Sequence, residues 1–138
     1  MLTNWTHIII HHSLTEDGST VSWDDIKSYH MRALGMVDIG YNFGIEFIEN
    51  EYQILYGRSL LIPGAHTLGM NGRAIGICCV GNYDINPPDD RLIIKLEMLL
   101  KDLIAIFDIS PENIKRHSDY ADYKTCPGIQ FDLTKINI

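Results

Sequence analysis

Apolar residues along this chain are spaced in two ways, in short β-branched runs and at three- and four-residue intervals. The change from one to the other marks out the elements. Residues 7–12 (HIIIHH) hold three consecutive isoleucines without alternation, which predicts a central strand buried on both faces. Residues 13–20 are polar and include Gly18, so a loop is expected there. Ser22 is placed as a helix N-cap, and Asp24 and Asp25 put negative charge at the positive end of the helix dipole. Trp23, Ile26, Tyr29 and His30 then share one face of a helix reaching about Ala33, and Gly35 ends it.

Residues 41–48 (YNFGIEFI) and 52–56 (YQILY) predict two strands joined by the turn-forming Glu49-Asn50-Glu51. A glycine-rich loop over 57–72 leads to another buried strand at 74–80 (AIGICCV). Pro87 and Pro88 interrupt the chain before residues 89–107. There Leu92, Leu96, Leu99, Leu100 and Leu103 give the amphipathic spacing of a long helix. From residue 109 onward the pattern is irregular, apart from a short helix expected at 131–136. Strands alternating with helices predict an α/β fold, a single domain over residues 1–138 with a mixed central β-sheet covered by helices on both faces.

Composition removes several function classes. A chain of 138 residues, nearly half of them hydrophobic, is the size of one compact domain, which buries roughly two thirds of the surface its unfolded chain exposes. The net charge of -7 and the absence of a basic stripe argue against a nucleic-acid partner. No run of eighteen apolar residues is present, so no membrane insertion is expected. The opening MLTNWTHIIIHHS has no basic n-region and does not read as a secretory signal, so synthesis in the cytoplasm is expected. Cys78 and Cys79 are adjacent and would point to opposite faces of their strand, which predicts core thiols rather than a disulfide.

The candidate chemistry lies in the histidines and the third cysteine. His11 closes the first strand, and His117 and Cys126 flank the polar segment RHSDYADYKTCPG. Two imidazoles and a thiolate are ligands that zinc prefers, and three protein ligands leave a fourth tetrahedral position open. Spacing alone does not single them out, because no CxxC or HExxH is present; a surface-loop histidine and a packed thiol are equally open readings of His117 and Cys126.

Six short motifs in a fixed order change that balance: I-I-H-H-S, D-I-G-Y-N-F, G-A-H-T-L-G-M-N, I-G-I-C-C-V-G-N-Y, R-H-S-D and K-T-C-P-G. Together they span most of the chain, which resembles the type 2 N-acetylmuramoyl-L-alanine amidases, the superfamily of T7 lysozyme and the peptidoglycan recognition proteins. The resemblance implies a zinc site in the cleft of the sheet held by His11, His117 and Cys126. Only one of His11 and His12 can face a metal, because neighbours on a strand point opposite ways. The family pattern favours His11, which leaves His12 in a supporting position or as a satisfied buried histidine.

Tyr41 and Lys124 match residues that the family keeps beside the zinc, where a phenol and an ammonium could each donate to an oxyanion and an ammonium desolvated beside the metal would lose its proton more easily. His66 matches a histidine lining the family's cleft, and Asn71, in the same loop, could fix a muropeptide. Arg58 and Arg73 could pair with peptide carboxylates or form surface salt bridges. No glutamate base stands beside the ligands. The implied reaction is zinc-dependent hydrolysis of the bond between N-acetylmuramic acid and L-alanine in peptidoglycan. The chain would then be a monomeric phage or prophage endolysin reaching the cell wall after release. The alternatives are a peptidoglycan-binding module without catalysis, which commonly lacks the cysteine ligand, and a cytoplasmic muropeptide-recycling amidase. A Cys126 nucleophile with His117 as base would leave His11 unexplained.

Overall fold

A computed structural model describes residues 4–15 and 22–138 of the chain. The isoleucine run forms β1 (His7–His12) at the heart of a mixed sheet. Joining it are β2 (Phe43–Ile48), β3 (Glu51–Tyr56), β4 (Ala74–Cys79) and β5 (Ile114–Arg116). Among the described residues the sheet has five strands in the order β3-β2-β4-β1-β5. The pairings β2–β4, β4–β1 and β1–β5 are parallel, and β2–β3 is antiparallel. Both central strands, β1 and β4, are almost entirely buried, as parallel strands covered on two faces are.

The alternation of side chains gives the two faces different partners. Ile8 and Ile10 of β1, Ile75 and Ile77 of β4, and Phe43 and Ile45 of β2 pack with α2 (Asp90–Phe107) through Leu92, Leu96, Leu99, Leu100 and Leu103. Each fully buried leucine contributes about 1.5–3 kcal/mol of apolar transfer, so this helix is a principal support of the sheet. On the opposite face Cys78 packs with Trp23 and Ile26 of α1 (Trp23–Arg32), and Ile9 and Ala74 pack with Met70.

The helix ends follow the sequence closely. Ser22 and Asp25 form a capping box at α1, and Asp89 caps α2 by accepting from Arg91 N. The buried Glu46 of β2 also accepts from Trp23 N at 3.0 Å, which fastens the start of α1 to the sheet. The β2–β3 connection is a two-residue turn with positive φ at Glu49 (51°) and Asn50 (66°), matching the twist of the hairpin.

Three details depart from the sequence expectation. Tyr41 precedes β2 rather than lying in it. The three-residue β5 lies within the tail expected to be irregular, because it is too short to show a period and is defined by pairing with β1. The helix expected over 131–136 is a single 3-10 turn, Leu133–Lys135. Of the loop expected at 13–20, residues 16–20 lie outside the described residues. No described helix is long and apolar enough to cross a membrane.

Leu100 is fully buried between α2 and the sheet. Leu100→Ala is expected to lower unfolding stability by about 2–5 kcal/mol in urea melts, the cost of a core leucine and its cavity. A loss below 0.5 kcal/mol would mean that α2 is not the support described.

Candidate metal centre

Parity along β1 decides between the two histidines. Ile8, Ile10 and His12 take one face, so His11 leaves on the other, in register with Cys78 of β4. There it meets His117, which immediately follows β5, with ring centroids 4.5 Å apart. Cys126 Sγ lies 3.7 Å from His11 Nδ1. One ligand atom from each of His11, His117 and Cys126 can be chosen so that all three lie within 4.8 Å of one another. Nitrogen and sulfur bound to one tetrahedral zinc lie roughly 3.3–3.8 Å apart, given metal bonds of about 2.0–2.3 Å. The donor set and its spacing therefore fit a zinc-sized cation after small side-chain adjustments.

The segment bearing Cys126 is held from two sides. Arg116, on β5 beside His117, donates to the carbonyls of Gly128 (2.6 Å), Thr125 (3.4 Å) and Phe131. On the other side Asp84 accepts from Thr125 Oγ1 and Ile129 N, both at 2.9 Å. Ser118 N donates to Cys126 O at 2.9 Å, and His12 N donates to Cys126 Sγ at 3.3 Å. That last contact supplies hydrogen-bond support for a thiolate.

Electrostatics prepare the imidazoles and hold back the thiol. Burial lowers the pKa of His117 to about 4, with Lys124 and His12 adding to the effect. His11 is lowered well below its ordinary value, first by burial and then by His66 and His117. Both rings are thus neutral at pH 7, with a lone pair to offer a metal. Burial raises the Cys126 thiol to about 11 in the metal-free protein, against the opposing pull of the His12 N–H, Lys124 and Arg116. Cys126 would hold a dication as the thiolate, its proton leaving to solvent.

A cavity of about 730 Å³ opens beside these groups, walled by the segment after β1, by α1, and by Tyr41, Asp84, His117 and residues 123–126. Tyr41 lies on this wall with its ring 5.1 Å from His11, and burial and a hydrogen bond with Cys78 push its phenol well above the usual range. Lys124 also lines the cavity, but it is exposed, with Nζ 5.8 Å from the Tyr123 ring centroid; the desolvated ammonium expected there is not what the structure shows.

The three residues expected to contact substrate do not line this cavity. Arg58 is buried and spends its guanidinium on the carbonyls of Ile39, Pro63 and Asp38, so it ties loops together and has no free face for a carboxylate. Asn71 Oδ1 accepts from His66 N and Thr67 N and closes its own turn. His66 lies behind His11, edge-on at 4.9 Å, and not on the cavity wall. Arg73 is exposed and does not line the cavity either.

His12 faces the α2 side, where its Nδ1 accepts from Tyr83 N, while its buried Nε2 has no hydrogen-bond partner among the described residues. It is a satisfied histidine at one nitrogen only. Cys78 and Cys79 are core thiols as read, and none of the three cysteines is in a disulfide. Sequence reasoning missed Arg116, Asp84 and His30, which lies in the cavity wall and accepts from Gly40 N through Nδ1. Arg116 had a signal, a cation directly before His117; nothing in the local pattern distinguished Asp84.

The profile of the family described as N-acetylmuramoyl-L-alanine amidase matches residues 1–129. Peptidoglycan-recognition protein SC2 of Drosophila melanogaster is 32% identical over 128 residues, covering 89% of this chain and 68% of its own. The endolysin of Enterobacteria phage T3 is 32% identical over 133 residues, covering 93% and 82%. The solved structure of the N-acetylmuramoyl-L-alanine amidase LysC from Clostridium intestinale URNW superposes with a TM-score of 0.85 at 28% identity, covering 97% of this chain and 83% of that one.

The pKa directions set the pH dependence of metal binding. With His117 neutral above about 4 and the thiol protonated below about 11, one proton must leave as the metal enters. Affinity should therefore rise about tenfold per pH unit between pH 5 and 8 and fall more steeply below about 4. Competition titration against a chromophoric chelator measures this; an affinity flat across that window would exclude the thiol as a ligand.

Proposed function

Because the chain belongs to the N-acetylmuramoyl-L-alanine amidase family, we propose that it is a zinc-dependent hydrolase of the bond between N-acetylmuramic acid and L-alanine. The observation that carries this reading is the grouping of His11, His117 and Cys126 within 4.8 Å at the side of a cavity. Zinc held by these three supplies a Lewis acid for the scissile carbonyl and the means to ionise water at neutral pH.

The chain's own residues do the rest. His11 and His117 stay neutral and hold their lone pairs ready, while the His12 N–H supports the sulfur of Cys126. Lys124, exposed on the cavity wall, can donate to a developing oxyanion. Tyr41, whose phenol burial keeps protonated, acts as a wall and a donor and not as a base. Among the described residues the carboxylates on the wall, Asp25 and Asp84, are both engaged: Asp25 caps α1 and Asp84 holds the Cys126 segment. Lys124, a cation on that wall, is then the residue placed to donate a proton to the leaving amine.

The phage T3 endolysin matches over 82% of its length, which supports a lytic phage or prophage setting: synthesis in the cytoplasm and action on the wall after release. The recognition-protein relative supports a second reading, binding of peptidoglycan without hydrolysis. The complete His-His-Cys set favours the enzyme.

The two readings separate by mass spectrometry of sacculi and soluble muropeptides after incubation with protein. Free stem peptides beginning at L-alanine should appear, vanish with a chelator and return with added zinc. Cys126→Ser should lose the metal and more than about 100-fold in turnover, a ligand being at least as costly as its supporting partners. Intact substrate after treatment with zinc-loaded protein would leave the binding module as the reading.

A further inference from the structure

His66 was expected in the cleft and is found behind a metal ligand instead, in a slot made for it. Its ring lies over Gly76 of β4, where a Cβ would come within 2.5–2.7 Å of the ring atoms, and against Gly64, where a Cβ would meet Cδ2 at 2.7 Å. Two glycines thus leave space that only the imidazole occupies. Within that slot every ring nitrogen has a partner, and the partners constrain one another.

The chain of contacts starts at a backbone carbonyl. His66 Nε2 lies 3.1 Å from Ala74 O, and a carbonyl oxygen can only accept, so Nε2 carries the proton. In the neutral ring Nδ1 is then an acceptor. It lies 3.0 Å from His11 Nε2, and two facing lone pairs at that distance repel, so His11 Nε2 is the donor. Thr67 Oγ1, 3.0 Å from His66 Nδ1 and 3.3 Å from His11 Nε2, completes the arrangement as a second acceptor for the His11 Nε2 proton. With its proton on Nε2, His11 turns a bare Nδ1 towards Cys126 Sγ, 3.7 Å away.

We propose that His66 is a positioning residue that fixes the tautomer and ring orientation of His11, so that the Nδ1 lone pair faces the metal position. The inference rests on the metal-site reading above. It assigns to His66 a role carried through His11 and no contact with substrate. Partners of this kind behind a metal-bound imidazole are worth about 10–100-fold in metal affinity.

Three replacements test it. His66→Asn keeps an acceptor close to the position of Nδ1 and should bind Co²⁺ within about threefold of the unaltered protein. His66→Gln keeps the donor to Ala74 O without that acceptor, and His66→Leu keeps neither; both should lose roughly 10–100-fold. Affinity is read from the thiolate-to-cobalt absorption band during titration. In parallel, ¹⁵N spectra of the metal-free proteins should show the His11 proton on Nε2 in the unaltered protein and the Asn variant, and tautomer exchange in the Leu variant. A merely structural contribution would move melting temperatures in all three without sorting them by acceptor. The proposal is overturned if the Leu variant, folded by circular dichroism, binds Co²⁺ like the unaltered protein, or if His11 carries its proton on Nδ1. Failure of the unaltered protein to bind Co²⁺ at all would instead sink the metal-site reading.

Discussion

Side chains alternate across β1, so His11 and His12 leave adjacent positions on opposite faces of the sheet, and the site is arranged around that divergence. β1 is held by parallel partners on both sides, β4 and β5, which leaves it little freedom to slip. A one-residue shift would send His11 into the leucines of α2 and the isoleucines towards the cavity. The same pairing delivers His117, because β5 runs alongside β1 and ends where the ring is needed. Register in the sheet is thus what converts two distant histidines into neighbours with ring centroids 4.5 Å apart.

Keeping such a group in the interior works against folding in the absence of a cation. His11 is nearly fully buried, and burial disfavours its charged form along with that of the Cys126 thiol. Neutral imidazoles and a protonated thiol avoid a buried charge, but they also lack the interaction that would reward the arrangement. The polar contacts of the surroundings hold the geometry meanwhile: His66 against His11, Arg116 and Asp84 around the Cys126 segment. Local rules of packing are broken here and obeyed elsewhere, the usual mark of a functional site.

Most of the fold was legible in the sequence wherever an element was long enough to show a period. The isoleucines of β1, the five leucines of α2 and the capping residues Ser22 and Asp89 each carry their element in local pattern. β5 carries none, since three residues (IKR) acquire strand character only by pairing with Ile8 to Ile10. The grouping of His11, His117 and Cys126 was legible through short motifs in a fixed order, and spacing alone would not have found it. The hydrogen-bond partners of His66, Asn71 and Arg58 were not legible. Each looks like a cleft residue from its type, yet what it does depends on which backbone atoms the folded loops bring within reach. Arg58 meets three carbonyls from two separate loop stretches, a fact that no window of sequence contains.

The three grouped residues come from two parts of the chain. His11 is part of the sheet, whereas His117 and Cys126 belong to the C-terminal segment that follows β5. Within that segment the two are already coupled: Arg116 and Ser118, on either side of His117, both bond to the backbone around Cys126. The pair is therefore cross-linked through its backbone, and Asp84, from the connection between β4 and α2, ties it to the rest of the fold. A cation bound to all three would add to the contacts that already join the C-terminal segment to β1 through Cys126 Sγ. Lys124 lies two residues before Cys126, so whatever fixes the cysteine also fixes where the ammonium can reach. Holding the metal and aiming the donor are, in this fold, consequences of the same loop.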